Sequence, residues 1–229
     1  MADSNQLIDT NRLYALSSVA VHLALLMTGK LLLFSGHHDH IWNWNRGESS
    51  LWDPRNPQII DDPKLLRNLF CSGHCFLSDG TLFVAGGQST FNHPVTIPLS
   101  VLGLIQLFVN AADHDIHTFD PISQKWTRHS GMPKARWYPT CVTLPDGKAL
   151  IVSGTYSHAH HEIFGGFMNL DYEIFDPEYN KLSNPVKFTD KIKMYPFLKV
   201  LPGGTLFIHS EDTTQFWNIE FNEGYCYYS

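Results

Sequence analysis

The sequence predicts an all-β fold, an incomplete β-propeller of about three and a half four-stranded blades, from three observations. The first is a short hairpin pattern that occurs four times along the 229 residues. The second is a motif with an aromatic residue before Asp-Pro, which follows the hairpin pattern. The third is the composition, with 13% aromatic residues and with Gly and Pro between short apolar runs. Such a composition is typical of many short strands joined by turns.

The hairpin pattern consists of an apolar strand, a two-residue turn built on glycine, and a second apolar strand. It occupies residues 26–36, 77–87, 144–154 and 201–210, and its turn glycines are Gly29, Gly80, Gly147 and Gly204. These glycines are 51, 67 and 57 residues apart. Asp-Gly and Gly-Gly suit the positive φ angles of primed hairpin turns. A repeat of this length with a hairpin inside it predicts propeller blades.

The second motif ends another strand in each unit, as Trp52-Asp53-Pro54, Phe119-Asp120-Pro121, Phe175-Asp176-Pro177 and, in a variant form, Phe216-Trp217-Asn218. A further short strand is indicated around Lys125-Trp126 and Lys181-Leu182. Each unit is therefore a four-stranded meander of the kelch type. We predict one partial propeller domain over 1–229, with units at 13–60, 66–130, 135–188 and 193–222, the last ending after its third strand near Glu220. A β-sandwich, the alternative, does not explain the repeated order.

An incomplete ring leaves sheet edges and one blade face uncovered, so we expect a fragment, or missing blades or a partner protein that cover them. One segment departs from the repeat. Residues 88–112 form an apolar insertion between the second and third strands of the second unit, and Val101–Phe108 is its most apolar part. Surface loops are rarely so apolar. The insertion is either a short helix laid on the propeller or sequence foreign to the fold.

Charge and hydropathy exclude several classes of function. The 16 basic and 22 acidic residues give a net charge of -6 without a Lys/Arg run, so we expect no nucleic-acid partner. The apolar stretch Leu13–Phe34 is interrupted by Thr28-Gly29-Lys30, which favours two strands and a turn over a membrane span. The first residues lack the basic start of a secretory signal, so we expect an unexported, cytoplasmic chain. Four cysteines are too few for a disulfide scaffold of this size.

Two units begin with unusual segments, Asn68-Leu69-Phe70-Cys71-Ser72-Gly73-His74 and Ala135-Arg136-Trp137-Tyr138-Pro139-Thr140. They resemble the Phe-Cys-x-Gly and Ala-Arg-x-Tyr segments that open consecutive blades in the galactose oxidase and glyoxal oxidase family of copper-radical oxidases. The resemblance extends over most of the chain at the level of the repeat. It implies that Cys71 is the cysteine of a thioether bond and that Tyr138 is its tyrosine partner, the radical residue and an equatorial copper ligand.

The position of this pair in the repeat also predicts that the two residues are neighbours. First strands of adjacent blades start near the central channel on one face, and Cys71 and Tyr138 are 67 residues apart, which is one unit plus the insertion. A thioether ortho to a phenol hydroxyl adds electron density and lowers the oxidation potential of the ring. The alternative is a buried cysteine beside an ordinary packing tyrosine.

The same face should carry the ends of the second strands, where 37–40 and 156–161 contain histidines. Tyr156 follows a Gly-rich strand end, where the family has a stacking aromatic residue. We interpret Tyr156, His158 and His160 as substrate-side residues, with solvated loop histidines or a histidine metal site as alternatives. Cys71-x-x-x-Cys75 does not predict zinc, because no second Cys/His pair at ligand spacing accompanies it.

The resemblance also implies a missing part. The family completes its copper site with a Tyr-His pair and a later histidine, and this sequence contains no Tyr-His dipeptide. We therefore expect a fragment that is inactive and copper-free by itself. It would belong to an oxidase that converts a small alcohol, aldehyde or sugar with O2 and releases H2O2. The alternative, which leaves the enzyme question open, is a non-catalytic kelch propeller that binds a protein or glycan.

Overall fold

The computed structural model describes residues 18, 20–36, 47–57, 60–65, 67–99, 103–156, 168–188, 192–219 and 223–228. For 89–99, 103–111 and 223–228 it describes the backbone alone. These ranges contain nineteen strands and no helix, so the all-β prediction is confirmed. Within them, no helical segment has the length and hydropathy needed to cross a membrane.

The strands form four antiparallel sheets in chain order. The first sheet consists of β1 (His22–Leu25), β2 (Leu31–Gly36), β3 (Gly47–Trp52) and β4 (Ile60–Asp61). The second sheet contains β5 (Gly73–Phe76) and β6 (Leu82–Ala85); after the separate pair β7 (Gln88–Leu99) and β8 (Gly103–Ala112), it continues with β9 (Ile116–Asp120) and β10 (Lys125–His129).

The third sheet consists of β11 (Thr140–Thr143), β12 (Ala149–Val152), β13 (Asp171–Asp176) and β14 (Lys181–Leu182), with β15 (Val186–Lys187) also paired to β13. The fourth consists of β16 (Phe197–Val200), β17 (Leu206–Ser210), β18 (Thr213–Asn218) and β19 (Glu223–Tyr228). The four sheets are consistent with an incomplete set of propeller blades.

The glycine turns lie where the sequence predicts them, between the first and second strands of each sheet. Gly29, Gly80, Gly147 and Gly204 have φ angles of 79°, 83°, 85° and 85°. A residue with a Cβ atom rarely adopts this conformation, which explains glycine at the turn. The hairpin prediction is confirmed at all four positions.

The Asp-Pro motifs end the third strand of the first three sheets. The carboxylates of Asp53, Asp120 and Asp176 each accept a hydrogen bond from the backbone N–H two residues further on, at 3.0, 2.8 and 3.1 Å. Proline cannot donate to a continuing ladder, and the aspartate closes the turn instead. The motif is therefore a strand terminator, as predicted.

Two features differ from the predictions. The fourth unit does not end after its third strand, because β19 pairs with β18 from Asn218↔Glu223 to Thr213↔Tyr228. The insertion at 88–112 forms the hairpin β7–β8 and not a helix. Its length lets two long strands satisfy each other's backbone groups without pairing with the four sheets.

Adjacent sheets pack face to face through their apolar side chains. Leu32 and Phe34 of the first sheet share a core with Leu82 and Phe119 of the second. On β12, all four side chains are buried, since residues 149 and 151 face the second sheet while residues 150 and 152 face the fourth. Strand β11 contacts both β5 and β16. The first strands of successive sheets therefore lie next to one another, and their starting ends share one region.

Candidate active site at the starts of the first strands

Cys71 and Tyr138 lie together at the starts of β5 and β11. Each stands two residues before its strand, and both have left-handed backbone angles, with φ of 61° and 60°. The Tyr138 N–H donates a 2.9 Å hydrogen bond to the Cys71 carbonyl. The Tyr138 hydroxyl also lies within hydrogen-bonding reach of the Cys71 thiol. The structure thus brings the predicted pair together through both main chain and side chain.

Gly73 lets the two strands approach this closely. A Cβ atom at this position would lie 2.6 Å from the Pro139 carbonyl oxygen and 3.0 Å from the Cys141 sulfur. The first of these distances is well inside van der Waals contact, so a larger residue would push β5 away from β11. The glycine in the segment that contains Cys71 is therefore required by packing between the two sheets.

Burial keeps the Cys71 thiol in its neutral form. The residue is 3% exposed, and burial raises the pKa of Cys71 to about 12, although the Tyr138 hydroxyl works in the opposite direction. A free thiolate is therefore rare near neutral pH. Chemistry at this sulfur would have to remove the thiol hydrogen as it forms a new bond.

Arg136 anchors the segment that contains Tyr138. Its guanidinium is fully buried and donates hydrogen bonds to the Glu173 carboxylate, the Ser153 carbonyl and the Asp171 carbonyl. Glu173 is also fully buried, and burial raises its pKa while Arg136 lowers it. The charge-assisted bonds fix the backbone two residues before Tyr138.

A pocket of about 450 Å³ opens beside the pair. It is lined by residues from the starts of the first strands of all four sheets, including His22, Cys71, His74, Tyr138, Cys141 and Tyr195. The rings of His22 and His74 are 5.3 Å apart. Burial, helped by His74, lowers the pKa of His22 to about 4, so this part of the wall is uncharged near neutral pH.

Tyr195 belongs to this site and was not identified from the sequence. Its ring centroid is 4.7 Å from that of Tyr138, and its hydroxyl donates a 3.0 Å hydrogen bond to the Ser72 carbonyl. A signal for it exists, because Tyr195-Pro196 repeats Tyr138-Pro139 at the same place before a first strand. Aligning the starts of all units, and not only their hairpins, would have found it.

The predicted substrate-side residues are not all described. His158 and His160 lie outside the described residues, as do the histidines at 37–40. The Tyr156 carbonyl accepts a 3.0 Å hydrogen bond from the Ala112 N–H, and its side chain lies close to Lys134. Tyr156 is not one of the described residues that line the pocket, so its substrate-side role stays a prediction.

Two other features of the described chain do not line the pocket beside the pair. A larger cavity of about 510 Å³ opens near the turns of the third and fourth sheets, beside Leu144 and Asn218. Asp113, His114 and Asp115 bring their potential ligand atoms within 4.8 Å of one another. Asp115, however, is bound by Arg128 at 2.6 Å, which neutralises its charge. That group is better explained as a structural ion pair than as a metal site.

Comparisons with known proteins support the resemblance to the galactose oxidase and glyoxal oxidase family that the motifs predict. The chain is 26% identical over 171 residues to the aldehyde oxidase GLOX of Vitis pseudoreticulata. The matched region covers 73% of this chain and 28% of that protein. No family model matches the chain.

Among solved structures, a fungal alcohol oxidase of the AA5 family in complex with copper is similar to the chain. It has a TM-score of 0.60 and 20% identity, over 93% of this chain and 41% of the oxidase. The structure of YjhT is also similar, with a TM-score of 0.57 and 13% identity. The match covers 86% of this chain and 61% of the YjhT chain. The chain thus spans less than half the length of the two oxidases that it matches.

The copper that such relatives imply can be tested against the residues around the pair. Copper(II) favours a tetragonal set of nitrogen and oxygen ligands, and Tyr138 offers one phenol oxygen. The only group of three His, Cys, Asp or Glu ligands in the described part of the chain is the one at 113–115. The described residues therefore do not fit a complete copper site.

Proposed function

We propose that this chain is part of a copper-radical oxidase that oxidises a primary alcohol or an aldehyde with O2 and releases H2O2. The observation that carries the proposal is the Cys71–Tyr138 contact, with the two residues joined at 2.9 Å through their backbones and with thiol beside hydroxyl. The similarity to an aldehyde oxidase and to a copper-containing alcohol oxidase supports it. The chain itself contributes the Cys71–Tyr138 pair to this function.

In this proposal, Tyr138 is the phenol that would ligate copper and Cys71 the sulfur that would modify it. When bound, copper would supply one-electron redox chemistry. Gly73 allows the close approach, and Arg136 holds the backbone that leads to Tyr138. The remaining ligands would come from sequence beyond the described residues. We expect the 229 residues alone to lack oxidase activity.

Mass spectrometry of the protein tests the pair. After incubation with excess copper(II) in air, which supplies the metal from solution because the described residues do not complete a copper ligand set, we expect the intact mass to fall by two hydrogen atoms, with the change mapped to peptides that contain Cys71 and Tyr138. Tyr138→Phe and Cys71→Ala should abolish the loss. Cys75→Ala, which removes a neighbouring thiol, should leave it unchanged. An unmodified pair in the unaltered protein after loading would refute the assignment.

A second candidate function is a non-catalytic kelch propeller that binds a protein or a glycan on its loop face. The observation in its favour is that the described residues do not complete a ligand set for copper. Translation of the reading frame beyond Ser229 discriminates between the two. A Tyr-His pair followed by a later histidine supports the oxidase, whereas further blades without them support the binding module.

A further inference from the structure

Three residues occupy the same position in successive sheets. Cys71, Tyr138 and Tyr195 each stand two residues before the first strand of their sheet, β5, β11 and β16. All three have left-handed backbone conformations, with φ of 61°, 60° and 44°. This conformation is unfavourable for residues other than glycine and persists where the surroundings impose it. Its recurrence at one place in three units indicates a common structural requirement.

Backbone hydrogen bonds join the three residues in a row. The Tyr138 N–H donates to the Cys71 carbonyl at 2.9 Å, and the Tyr195 N–H donates to the Tyr138 carbonyl at 3.1 Å. The carbonyl of each of the first two residues thus accepts a hydrogen bond from the backbone N–H of the equivalent residue in the next sheet. The row fixes the spacing of the three side chains, because the left-handed turns place all three at the same end of the first strands.

The Tyr195 side chain then reaches back over the row to the second sheet. Its ring contacts the Tyr138 ring at 4.7 Å with an interplanar angle of 50°, and its hydroxyl donates to the carbonyl of Ser72, the residue after Cys71. Tyr195 therefore contacts Tyr138 and the residue that follows Cys71, although it belongs to the fourth sheet.

The surroundings of the Tyr195 hydroxyl favour its neutral form. The residue as a whole is 42% exposed, yet burial raises the pKa of its hydroxyl, and the nearby Cys71 and Tyr138 raise it further. The phenol therefore stays protonated and keeps its hydrogen for the Ser72 carbonyl. A partly exposed ring that still makes this bond is held by specific contacts and not by general burial.

We propose that Tyr195 is a positioning residue for the Cys71–Tyr138 pair. Its ring fixes the tilt of the Tyr138 ring, and its hydroxyl holds the Cys71–Ser72 turn, so that the sulfur stays beside the ring carbon ortho to the Tyr138 hydroxyl. This inference rests on the proposed function. The bond that forms is S–C, and the thiol and the ring carbon each lose one hydrogen. Dioxygen accepts the two electrons and two protons and becomes hydrogen peroxide.

Bond formation of this kind depends strongly on the position of the reacting atoms. The first experiment measures the rate of the two-hydrogen mass loss after addition of copper(II) in air. We expect Tyr195→Phe, which keeps the ring and loses the hydrogen bond, to slow cross-linking roughly fivefold. We expect Tyr195→Leu, which also removes the ring contact, to slow it by about an order of magnitude or more. Thermal unfolding of each variant shows whether it is folded.

Tyr172→Phe is the matched control. Tyr172 is a buried tyrosine of the third sheet whose ring packs on Phe188 at 4.9 Å, away from the pair. Its substitution also removes a hydroxyl and keeps a ring. If the effect of Tyr195→Phe were only a general loss of stability, Tyr172→Phe would slow cross-linking as well. We expect it to match the unaltered protein.

A second measurement needs no copper. The rate at which iodoacetamide alkylates Cys71 in the metal-free protein, followed on the Cys71 peptide, reports whether the thiol is held in place. We expect faster alkylation in Tyr195→Phe and faster still in Tyr195→Leu, with Tyr172→Phe unchanged.

The outcomes separate the two proposals. Absence of cross-linking in the unaltered protein contradicts the proposed function, and the alkylation rates then still test the positioning role. Cross-linking at the same rate in all folded variants, together with equal alkylation, overturns the role of Tyr195 and leaves the proposed function intact.

Discussion

The first strands of the first and third sheets come from the same repeat but lie in different surroundings. Strand β11 packs between β5 and β16, and Cys141 at its centre is buried. On and next to β1 every second residue is exposed, with Val21, Leu23, Leu25 and Met27 at 43%, 54%, 64% and 65%. The neighbours of a strand thus decide its burial, even where the strand pattern is shared.

The two sheets also differ in whether they bury charged side chains. The third sheet, covered on both sides, contains the fully buried Arg136–Glu173 pair, and the Cys71–Tyr138 contact lies at its junction with the second sheet. The exposed face of β1 is apolar. A site that needs residues held in unfavourable backbone conformations therefore forms where two neighbours constrain it.

The largest expected effect is at the buried pair of the third sheet. Arg136→Met leaves the Glu173 carboxylate buried without its partner, and we expect the free energy of unfolding to fall by about 3–5 kcal/mol. Urea denaturation measures it. Arg55→Met, which removes an arginine whose side chain is 68% exposed from its pair with Asp53, is the control and should change nothing measurable. The double variant Arg136→Met/Glu173→Leu should recover part of the loss, and no recovery would argue against an electrostatic cause.

A matched pair of leucines tests the difference in coverage directly. Leu150→Ala removes a side chain with 0% exposure from the core between the third and fourth sheets, and we expect a loss of about 3 kcal/mol. Leu25→Ala removes a side chain with 64% exposure, and we expect a change below about 0.5 kcal/mol. A loss above about 1 kcal/mol for Leu25→Ala would mean that the outer face of β1 is covered in solution.

A histidine on the covered face of the first sheet should make the stability of the protein depend on pH. His22 is 8% exposed, and burial together with His74 lowers its pKa from 6.5 to about 4. Between these values the unfolded chain binds a proton that the folded chain does not, so stability is present above pH 6.5 and is lost as pH falls. We expect His22 alone to contribute a loss of roughly 1.5 kcal/mol between pH 6.5 and pH 5.

Urea denaturation across this range measures the effect. His22→Gln should reduce the pH dependence by the contribution of His22, whatever it does to stability at neutral pH. The contribution of His117, whose pKa burial also lowers to about 4, should remain. The control Leu25→Ala changes an exposed residue of the same strand that does not titrate, and it should leave the pH dependence as it was. An unaltered slope in His22→Gln would place the titration elsewhere.

Much of the fold was predictable because its signals are local. A glycine at a hairpin turn or a proline after an aspartate acts on its own few residues, so four glycine turns and three Asp-Pro strand ends reveal four sheets. The contact between Cys71 and Tyr138 was predictable from their equivalent positions in adjacent units. Tyr195 shares that position, but its role depends on a side chain that reaches from the fourth sheet to the second. The hairpin at 88–112 carries no such turn signal.

The sequence by itself determined the all-β class, the turns, the strand ends and the two residues of the candidate pair. Backbone sterics and short hydrogen bonds govern all of these within a few residues of chain. Only the tertiary structure decided which faces are covered, that Arg136 and Glu173 meet in the core, and that Tyr195 joins the pair. Those outcomes depend on contacts between residues tens of positions apart, and their energies arise only when whole sheets pack together.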